Sequence, residues 1–243
     1  MKSIEKLSAD TLKLIAIIAM TIDHIAYVFV SENTAVWIFM RTFGRFTAPI
    51  MCHFIAEGFH YTRSRKRYLL RMGAFAVISQ PFYFLMKFGR IPNAINEYFL
   101  NQNVMYTFSI ALIMLMIFTH KRFGGFLKWL YILPCFMLAI IGDWSINIVV
   151  WTLCFYIFRD DFKRKAIAFC VVSVALLMLA FAENFYSYGV LLAIIPLGFY
   201  NGKRSNGKKK KSSALSKWLF YLYYPLHMSV LIAIKYLIFR LQL

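Results

Sequence analysis

A small set of ionisable side chains stands inside long apolar stretches of this sequence. Asp23 and His24 lie in one stretch, Arg41, Arg45, His53 and Glu57 in the next, and His227 near the end. Ionisable groups in such surroundings are costly and usually face a partner or a cavity. Their clustering therefore marks a candidate site. Lys13 and His24 are eleven residues apart. On a helix, eleven steps of about 100° return to within about 20° of the same face and advance about 16 Å along the axis. A lysine at one mouth and an imidazole deep in the helix suit a ligand with an anionic head and a long thin arm. Coenzyme A has that shape, with phosphates for the lysine and a thioester for the imidazole. Arg41 and Arg45 share a helix face through their i,i+4 spacing. Pro49, four residues on, removes the donor for the Arg45 carbonyl and bends the helix, and Pro225 does the same to the carbonyl of Tyr221, just before His227. Asp23 and His24 are neighbours about 100° apart. Asp23 therefore does not orient His24 within one helix and is expected to pair with an arginine of the next.

These groups need elements to hold them, and the composition says which kind. The chain has 243 residues, 61% hydrophobic and 19% aromatic, with a net charge of +18 from only 16% charged residues. Its mean hydropathy is +0.63. Soluble domains are about 45–50% apolar, so the expectation is an all-α, polytopic integral membrane protein forming a single transmembrane domain over 1–243. Segments of about 20 apolar residues cross a bilayer. They are read at roughly 12–30, 36–59, 68–86, 103–119, 128–142, 144–158, 166–183, 187–200 and 218–239, about nine in all. Gly142-Asp143-Trp144-Ser145 reads as a tight turn. The first stretch resembles a signal peptide, but it is too long, contains Asp23 and His24, and lacks a small-residue cleavage site, so it is expected to be retained.

Basic residues then orient the chain. With the N-terminus inside, the inner segments hold Lys2, Lys6 and Lys13; Arg63, Arg65, Lys66, Arg67 and Arg71; Lys121, Arg122 and Lys128; Arg159, Lys163, Arg164 and Lys165; and the basic cytoplasmic loop 201–217 with Lys203 and Arg204. Only Lys87, Arg90, Lys235 and Arg240 fall on or near the outer side, and the C-terminus is outside. The basic loop suits anionic lipid headgroups. Basic residues spread in this way orient a chain in a lipid bilayer, and no nucleic-acid partner is expected. By depth, His24 lies about 9 Å, Arg41 about 8 Å and Arg45 about 13 Å below the outer surface, so the three are at similar depth. Cys52, Cys135, Cys154 and Cys170 sit in apolar runs without metal-ligand spacing and read as small buried hydrophobes, with no metal site.

Several runs carry a resemblance. Leu12 through Ile25, Arg41 through Ile50, Ala56-Glu57-Gly58-Phe59, Tyr61-Thr62-Arg63, Ile195-Pro196-Leu197, Tyr200 through Arg204, and Phe220 through His227 together resemble the TraX family, over nearly the whole chain. That family is similar to the type 3 membrane acyltransferases. Those carry a basic residue, ten intervening residues and a histidine, matched by Lys13 and His24. They also carry two arginines separated by three residues, matched by Arg41 and Arg45. The resemblance implies a protein of the bacterial cytoplasmic membrane that moves an acetyl or other acyl group from cytoplasmic acyl-coenzyme A to an extracytoplasmic acceptor. The family's namesake acetylates the N-terminus of a conjugative pilin; the acceptor of this chain stays open.

In that frame, neutral His24 is the general base for an acceptor amine or hydroxyl. Arg41 and Arg45 stabilise the developing oxyanion or hold an acceptor anion, and Asp23 fixes the surroundings of the histidine. Lys13, Arg63, Arg65, Arg67, Lys203 and Arg204 draw the coenzyme phosphates, with Glu57 assigned to the coenzyme or to helix packing. His227, Tyr224 and His53 are assigned to the substrate cavity, His53 being also four residues from Glu57 and so placed to pair with it. The rival reading is a proton-coupled transporter using Asp23, His24, Arg41 and Arg45. It needs a polar path across the whole bilayer and is disfavoured by the absence of an internal sequence repeat.

Overall fold

The computed structural model describes residues 7–121, 124–179, 184–203 and 214–241. Among these the chain is all-α, in the order α1 (Ala9–Phe29), α2 (Ala35–Gly44), α3 (Thr47–Tyr61), α4 (Arg65–Phe88), α5 (Ile95–Phe99), α6 (Val104–Phe118), α7 (Gly125–Ala139), α8 (Ser145–Ile157), α9 (Phe162–Leu179), a 3-10 segment (Phe185–Ala193), α10 (Ile194–Gly198) and α11 (Ala214–Leu241). Among the described residues, three helices are long and apolar enough to cross a membrane: α1, α4 and the part of α11 over Tyr221–Ile238. The helices α6, α7 and α8 and the segment Phe185–Gly198 are apolar but shorter. Leu14 and Ile18 on α1, Val77 on α4, and Leu133 and Met137 on α7 are exposed. Apolar side chains pointing outward along apolar helices are the pattern of a protein solvated by lipid, where each helix satisfies its own backbone. The chain is a helical membrane protein.

The residues fall into two compact units, one of 1–54 with 158–218 and the other of 55–157 with 219–243. In the first, α1 packs on α2, α2 on the 3-10 segment, and the 3-10 segment on α9. Ser8 caps α1 by accepting from the Thr11 N–H, which satisfies one of the four N–H groups a helix start leaves open. Ala9, Leu12, Ala16, Ala19, Asp23 and Ala26 are the buried residues along α1. Their alternating spacing of four and three makes one straight seam, and the alanines keep it shallow enough for a close helix neighbour.

The stretch 36–59, expected as one bent span, is two helices separated by a turn at Arg45–Phe46. Pro49 is the cause, because it cannot donate to the Arg45 carbonyl yet is tolerated in the first turn of α3. The stretch 187–200, expected as a regular span, begins as a tighter 3-10 turn run and becomes α-helical only at Ile194. There Gly189 passes so close to α2 that an added Cβ would sit 2.1 Å from the Thr42 carbonyl oxygen.

In the second unit α4 packs on α6, and α6 on α7 and α8. A buried amide network joins the first pair. Asn103 caps α6 by accepting from Met105 N–H (2.9 Å) and Tyr106 N–H (3.4 Å). Its Nδ2 donates to the Ala76 carbonyl and to Gln80 Oε1, both at 2.7 Å. Gln80 in turn donates to the Asn101 carbonyl at 2.6 Å. The turn expected at 142–145 is present, with Trp144 and Ser145 at positive φ. It is pinned by Asp143 N–H to the Gln102 carbonyl (2.7 Å) and by Thr107 Oγ1 to the Asp143 carbonyl (2.9 Å). Gly142 leaves the room this requires, since a Cβ there would lie 2.3 Å from Thr107 Oγ1.

The segment between α4 and α6 is clasped by Arg90 and Glu97, and the Asn93 N–H donates to Glu97 Oε2 at 3.0 Å. The Arg90 hydrogen bond first, then the Asn93 N–H, holds the Glu97 carboxyl below its ordinary range. A carboxyl lowered in the folded state contributes stability above its ordinary titration range and loses it as pH falls through the lowered value. The protection of the amides across residues 90–101, taken relative to their intrinsic exchange at each pH, is therefore expected to be present at pH 7 and to be lost as Glu97 protonates in acid, and Glu97→Gln should show the lowered protection already at pH 7. Asn103→Ala removes a helix cap and the two side-chain hydrogen bonds to the Ala76 carbonyl and to Gln80 Oε1, leaving Gln80 Oε1 only the backbone N–H of residue 103. It is expected to lower stability by about 1–3 kcal/mol, read as the midpoint of thermal unfolding in detergent.

Candidate functional site

The first unit brings Asp23, Arg41 and Arg45 together at the α1–α2 seam. Asp23 sits in the middle of that seam and is 8% exposed; Arg41, on α2, is 9% exposed. Arg41 Nη1 donates to Asp23 Oδ2 at 2.6 Å, and Arg45 Nε lies 3.9 Å from Asp23 Oδ1. Asp23 thus takes its partner from the next helix. The approach is close because of Gly44: a Cβ built there would fall 2.3 Å from the Asp23 Cβ. Thr47 Oγ1 donates to the Ala16 carbonyl at 3.1 Å and ties the start of α3 to the same face of α1.

An aromatic wall surrounds the pair. The Arg41 guanidinium lies 5.4 Å from the Tyr27 ring centroid, 5.6 Å from that of Trp37 and 5.6 Å from that of Tyr186. Arg45 lies 5.1 Å from the Tyr186 centroid. Tyr186 meets Trp37 edge to face at 5.0 Å. Cation–π contacts in such desolvated places contribute up to about 2 kcal/mol, and the planar guanidinium suits them better than an ammonium would. Sequence reasoning passed over these residues. Tyr27 is four residues after Asp23 and Trp37 four before Arg41, so helix spacing alone was a usable signal. Tyr186 carried none, since only the fold brings it there.

His24 follows Asp23 by one residue and Lys13 follows Leu12 by one; both are half-buried. Because Leu12 and Asp23 both belong to the buried seam, Lys13 and His24 lie along the same flank of it. Lys13 Nζ stands 4.9 Å over the Phe54 ring. His53 is buried, and its ring meets Phe54 at 5.5 Å and Tyr200 at 5.4 Å. The backbone at Lys203 belongs to this end too, because Ala9 N–H donates to its carbonyl at 2.9 Å. Arg204 and most of the loop 201–217 lie outside the described residues.

The remaining expected site residues belong to the second unit. Arg63, Arg65 and Arg67 are exposed around the start of α4. Arg65 donates to Thr119 Oγ1 at 3.1 Å and covers the Phe59 ring at 4.3 Å. Glu57 is half-buried on α3. Tyr224 and His227 are buried on α11. His227 Nδ1 is 2.8 Å from the Tyr223 carbonyl, with its ring stacked on Tyr223 at 5.0 Å and against Tyr224 at 5.7 Å. Cys52, Cys135 and Cys154 are buried and Cys170 half-buried, all as free thiols.

A buried aspartate paired with the first arginine of an Arg-x-x-x-Arg run, one residue before a histidine that trails a lysine by eleven, is a specific constellation. Residues 8–235 match the TraX protein family. The chain belongs to the TraX family. The match takes in every residue of the α1–α2 cluster as well as Tyr224 and His227. This TraX chain is also 36% identical over 240 residues to a protein of Dichelobacter nodosus named probable fimbrial assembly protein FimC, serogroup H1, across 94% of this chain and 96% of that one. No solved structure matches.

The charge pair predicts its own mutational signature. Asp23→Asn leaves Arg41 buried without its counter-charge and should cost about 3–5 kcal/mol, measured by thermal unfolding in detergent. Asp23→Asn with Arg41→Gln should recover a substantial part of that loss. Gly44→Ala should destabilise by about 1–3 kcal/mol or more through overpacking alone, with no recovery from either charge change.

Proposed function

We propose that this TraX chain is a membrane-embedded acyltransferase, using acetyl-coenzyme A or another acyl-coenzyme A from the cytoplasm and modifying an amine or hydroxyl on the far side of the membrane. The observation that carries the reading is the buried Asp23–Arg41–Arg45 cluster set beside His24, on the helix flank that also presents Lys13. Family membership supports it, since the similar type 3 acyltransferases carry the same Lys–His and Arg–Arg spacings. The name of the Dichelobacter nodosus relative supports a fimbrial subunit or another surface protein as the acceptor class.

In this reading the acceptor enters from the outer side and the thioester from the inner one, meeting at His24. The imidazole takes the proton from the acceptor amine or hydroxyl as the nitrogen or oxygen attacks the thioester carbonyl carbon. The carbonyl oxygen gains negative charge and is met by a guanidinium. The carbon–sulfur bond then breaks, the coenzyme A thiolate leaves with the electron pair, and the imidazolium returns its proton to the sulfur. Arg41 is held by Asp23 and the aromatic wall, and among the described residues its buried Nε makes no hydrogen bond. That leaves a fixed donor for the oxyanion. About nine membrane crossings, with the N-terminus inside and the C-terminus outside, place Lys13 at the cytoplasmic mouth and His24 deep in the bilayer, in keeping with the charge alternation.

Purified protein is expected to be stabilised against heat by acetyl-coenzyme A, and His24→Ala to lower acyl transfer in membranes by about 10²–10⁴-fold while keeping that stabilisation. Full transfer activity in His24→Ala removes the catalytic role of the histidine. No thermal response to acetyl-coenzyme A in the unmodified protein removes the acyltransferase reading and leaves the transporter.

A further inference from the structure

The connection from α4 to α6 carries a surface that water does not suit. Ile91, Ile95, Phe99 and Leu100 are 80%, 74%, 60% and 59% exposed. Large apolar side chains gathered on one short stretch of surface mark a contact with something other than solvent. Ile95 and Phe99 are one turn apart on α5 and share a face. Glu97 and Tyr98 turn away from it and are half-buried. Tyr98 packs on Phe84 of α4, with ring centroids 5.8 Å apart, and Glu97 is taken by Arg90. Arg90 and Glu97 are the charged residues of 89–102, so the charges of this segment cancel.

The backbone of the same segment is served from within the protein. A helix end leaves its last carbonyls open, and here side-chain amides fill them. Asn101 Nδ2 donates to the Glu97 carbonyl (3.0 Å), and Gln102 Nε2 to those of Tyr98 (3.0 Å) and Phe99 (3.1 Å). Gln80 Nε2 donates to the Asn101 carbonyl (2.6 Å), and the Asp143 N–H to that of Gln102 (2.7 Å). A loop in water needs no such donors, because the solvent provides them. Where water is scarce, each open carbonyl is costly. Three amide side chains committed to one short surface segment therefore point to a poorly hydrated setting. The edge of a bilayer is such a setting, and the segment begins where α4, of 24 residues and membrane length, comes to its end at Gly89. Just before that end, Lys87 lies over the Phe88 ring at 5.2 Å and donates to the Tyr83 hydroxyl at 3.1 Å. An amphipathic lysine beside aromatic rings is the usual dress of a membrane boundary.

We propose that residues 91–100 form an interfacial anchor, with Ile91, Ile95, Phe99 and Leu100 seated in the headgroup–acyl boundary of the leaflet at that end of α4. Apolar faces of this kind sit about 5–10 Å into the boundary. The irregular backbone goes no deeper, because the hydrocarbon core excludes lipid-exposed loops. On the orientation proposed above, the leaflet is the outer one. Lipid fits the face better than a protein does. Protein interfaces carry about one hydrogen bond per 100–200 Å², whereas here the carbonyls beside the face are already taken and the charges already cancel. Lipid asks only for apolar contact. The anchor stands independently of the acyltransferase reading.

The experiment places nitroxide labels on Ile95→Cys, Phe99→Cys, Leu100→Cys and, as a polar control, Asn93→Cys. The full-length protein is reconstituted in vesicles of phosphatidylcholine and phosphatidylglycerol, and the unmodified protein supplies the background from its own thiols. Collisions with oxygen, which concentrates in lipid, are compared with collisions with a water-soluble nickel chelate. The expected result is oxygen collisions in excess at Ile95→Cys, Phe99→Cys and Leu100→Cys, at a depth of about 5–10 Å below the phosphates, with the nickel chelate in excess at Asn93→Cys. Nickel collisions at Phe99→Cys and Ile95→Cys as frequent as at Asn93→Cys place the face in water and overturn the anchor. Shielding from both reagents, in these vesicles or in native membranes, means that protein covers the face and overturns lipid as its occupant. Should the labelled variants fail to fold, Phe99→Trp is read by the quenching of its added fluorescence with lipids brominated near the carbonyl group. Quenching beyond that of the unmodified protein supports the anchor, and its absence overturns it.

Discussion

A carboxylate and a guanidinium are held together in the apolar seam between two helices, and the rest of the first unit is arranged to permit it. An isolated charge at Asp23 or Arg41 would be expensive in these surroundings, and the pair offsets its desolvation only with close geometry. Close geometry requires thin helix surfaces, which explains Ala16, Ala19 and Ala26 on α1 and Gly44 on α2. It also requires the guanidinium face to be covered, which explains Tyr27, Trp37 and Tyr186. Gly189 belongs to the same constraint: without a bare backbone there, the segment carrying Tyr186 could not lie so tightly against Thr42 on α2. Residues that look unrelated along the chain therefore share a single physical requirement.

The second unit solves a different problem with neutral groups. Asn103 and Gln80 join α4 to α6 through amides that serve both as helix cap and as interhelical hydrogen bonds. Neutral amides avoid the desolvation cost of ions, and in a low-dielectric interior their bonds are firm. Buried ions in the first unit and buried amides in the second point to different tasks, since ionic groups kept in a bilayer usually serve chemistry or transport.

Much of the helical framework was legible in the sequence, because apolar runs of membrane length have few alternatives. α1, α4, α6, α7, α8 and α9 fall where hydropathy placed them, and the 142–145 turn where glycine and aspartate marked it. The pairing of Asp23 with an arginine of the next helix was legible too, from equal depth and a short connection. Two features were not. The interruption at Arg45–Phe46 follows from Pro49, but a proline allows either a bend or a break, and which one forms depends on packing against α1. The 3-10 form of Phe185–Ala193 is set by its approach to α2, a contact that hydropathy cannot register. In the candidate site, spacing singled out Lys13, His24, Arg41 and Arg45, whereas Tyr186 gave no signal, because only the fold brings it against the two guanidinium groups.

The order of the residues in the Asp23–Arg41 pair has a consequence for biogenesis. Asp23 precedes Arg41 by 18 residues, and the connection between their helices is short. The carboxylate is therefore made before the arginine that it meets, and the two can pair as soon as α2 has formed. Tyr186, far later in the chain, closes over a pair that is already neutral. The salt link is thus a contact between near neighbours in the chain, one that the later segments only have to cover.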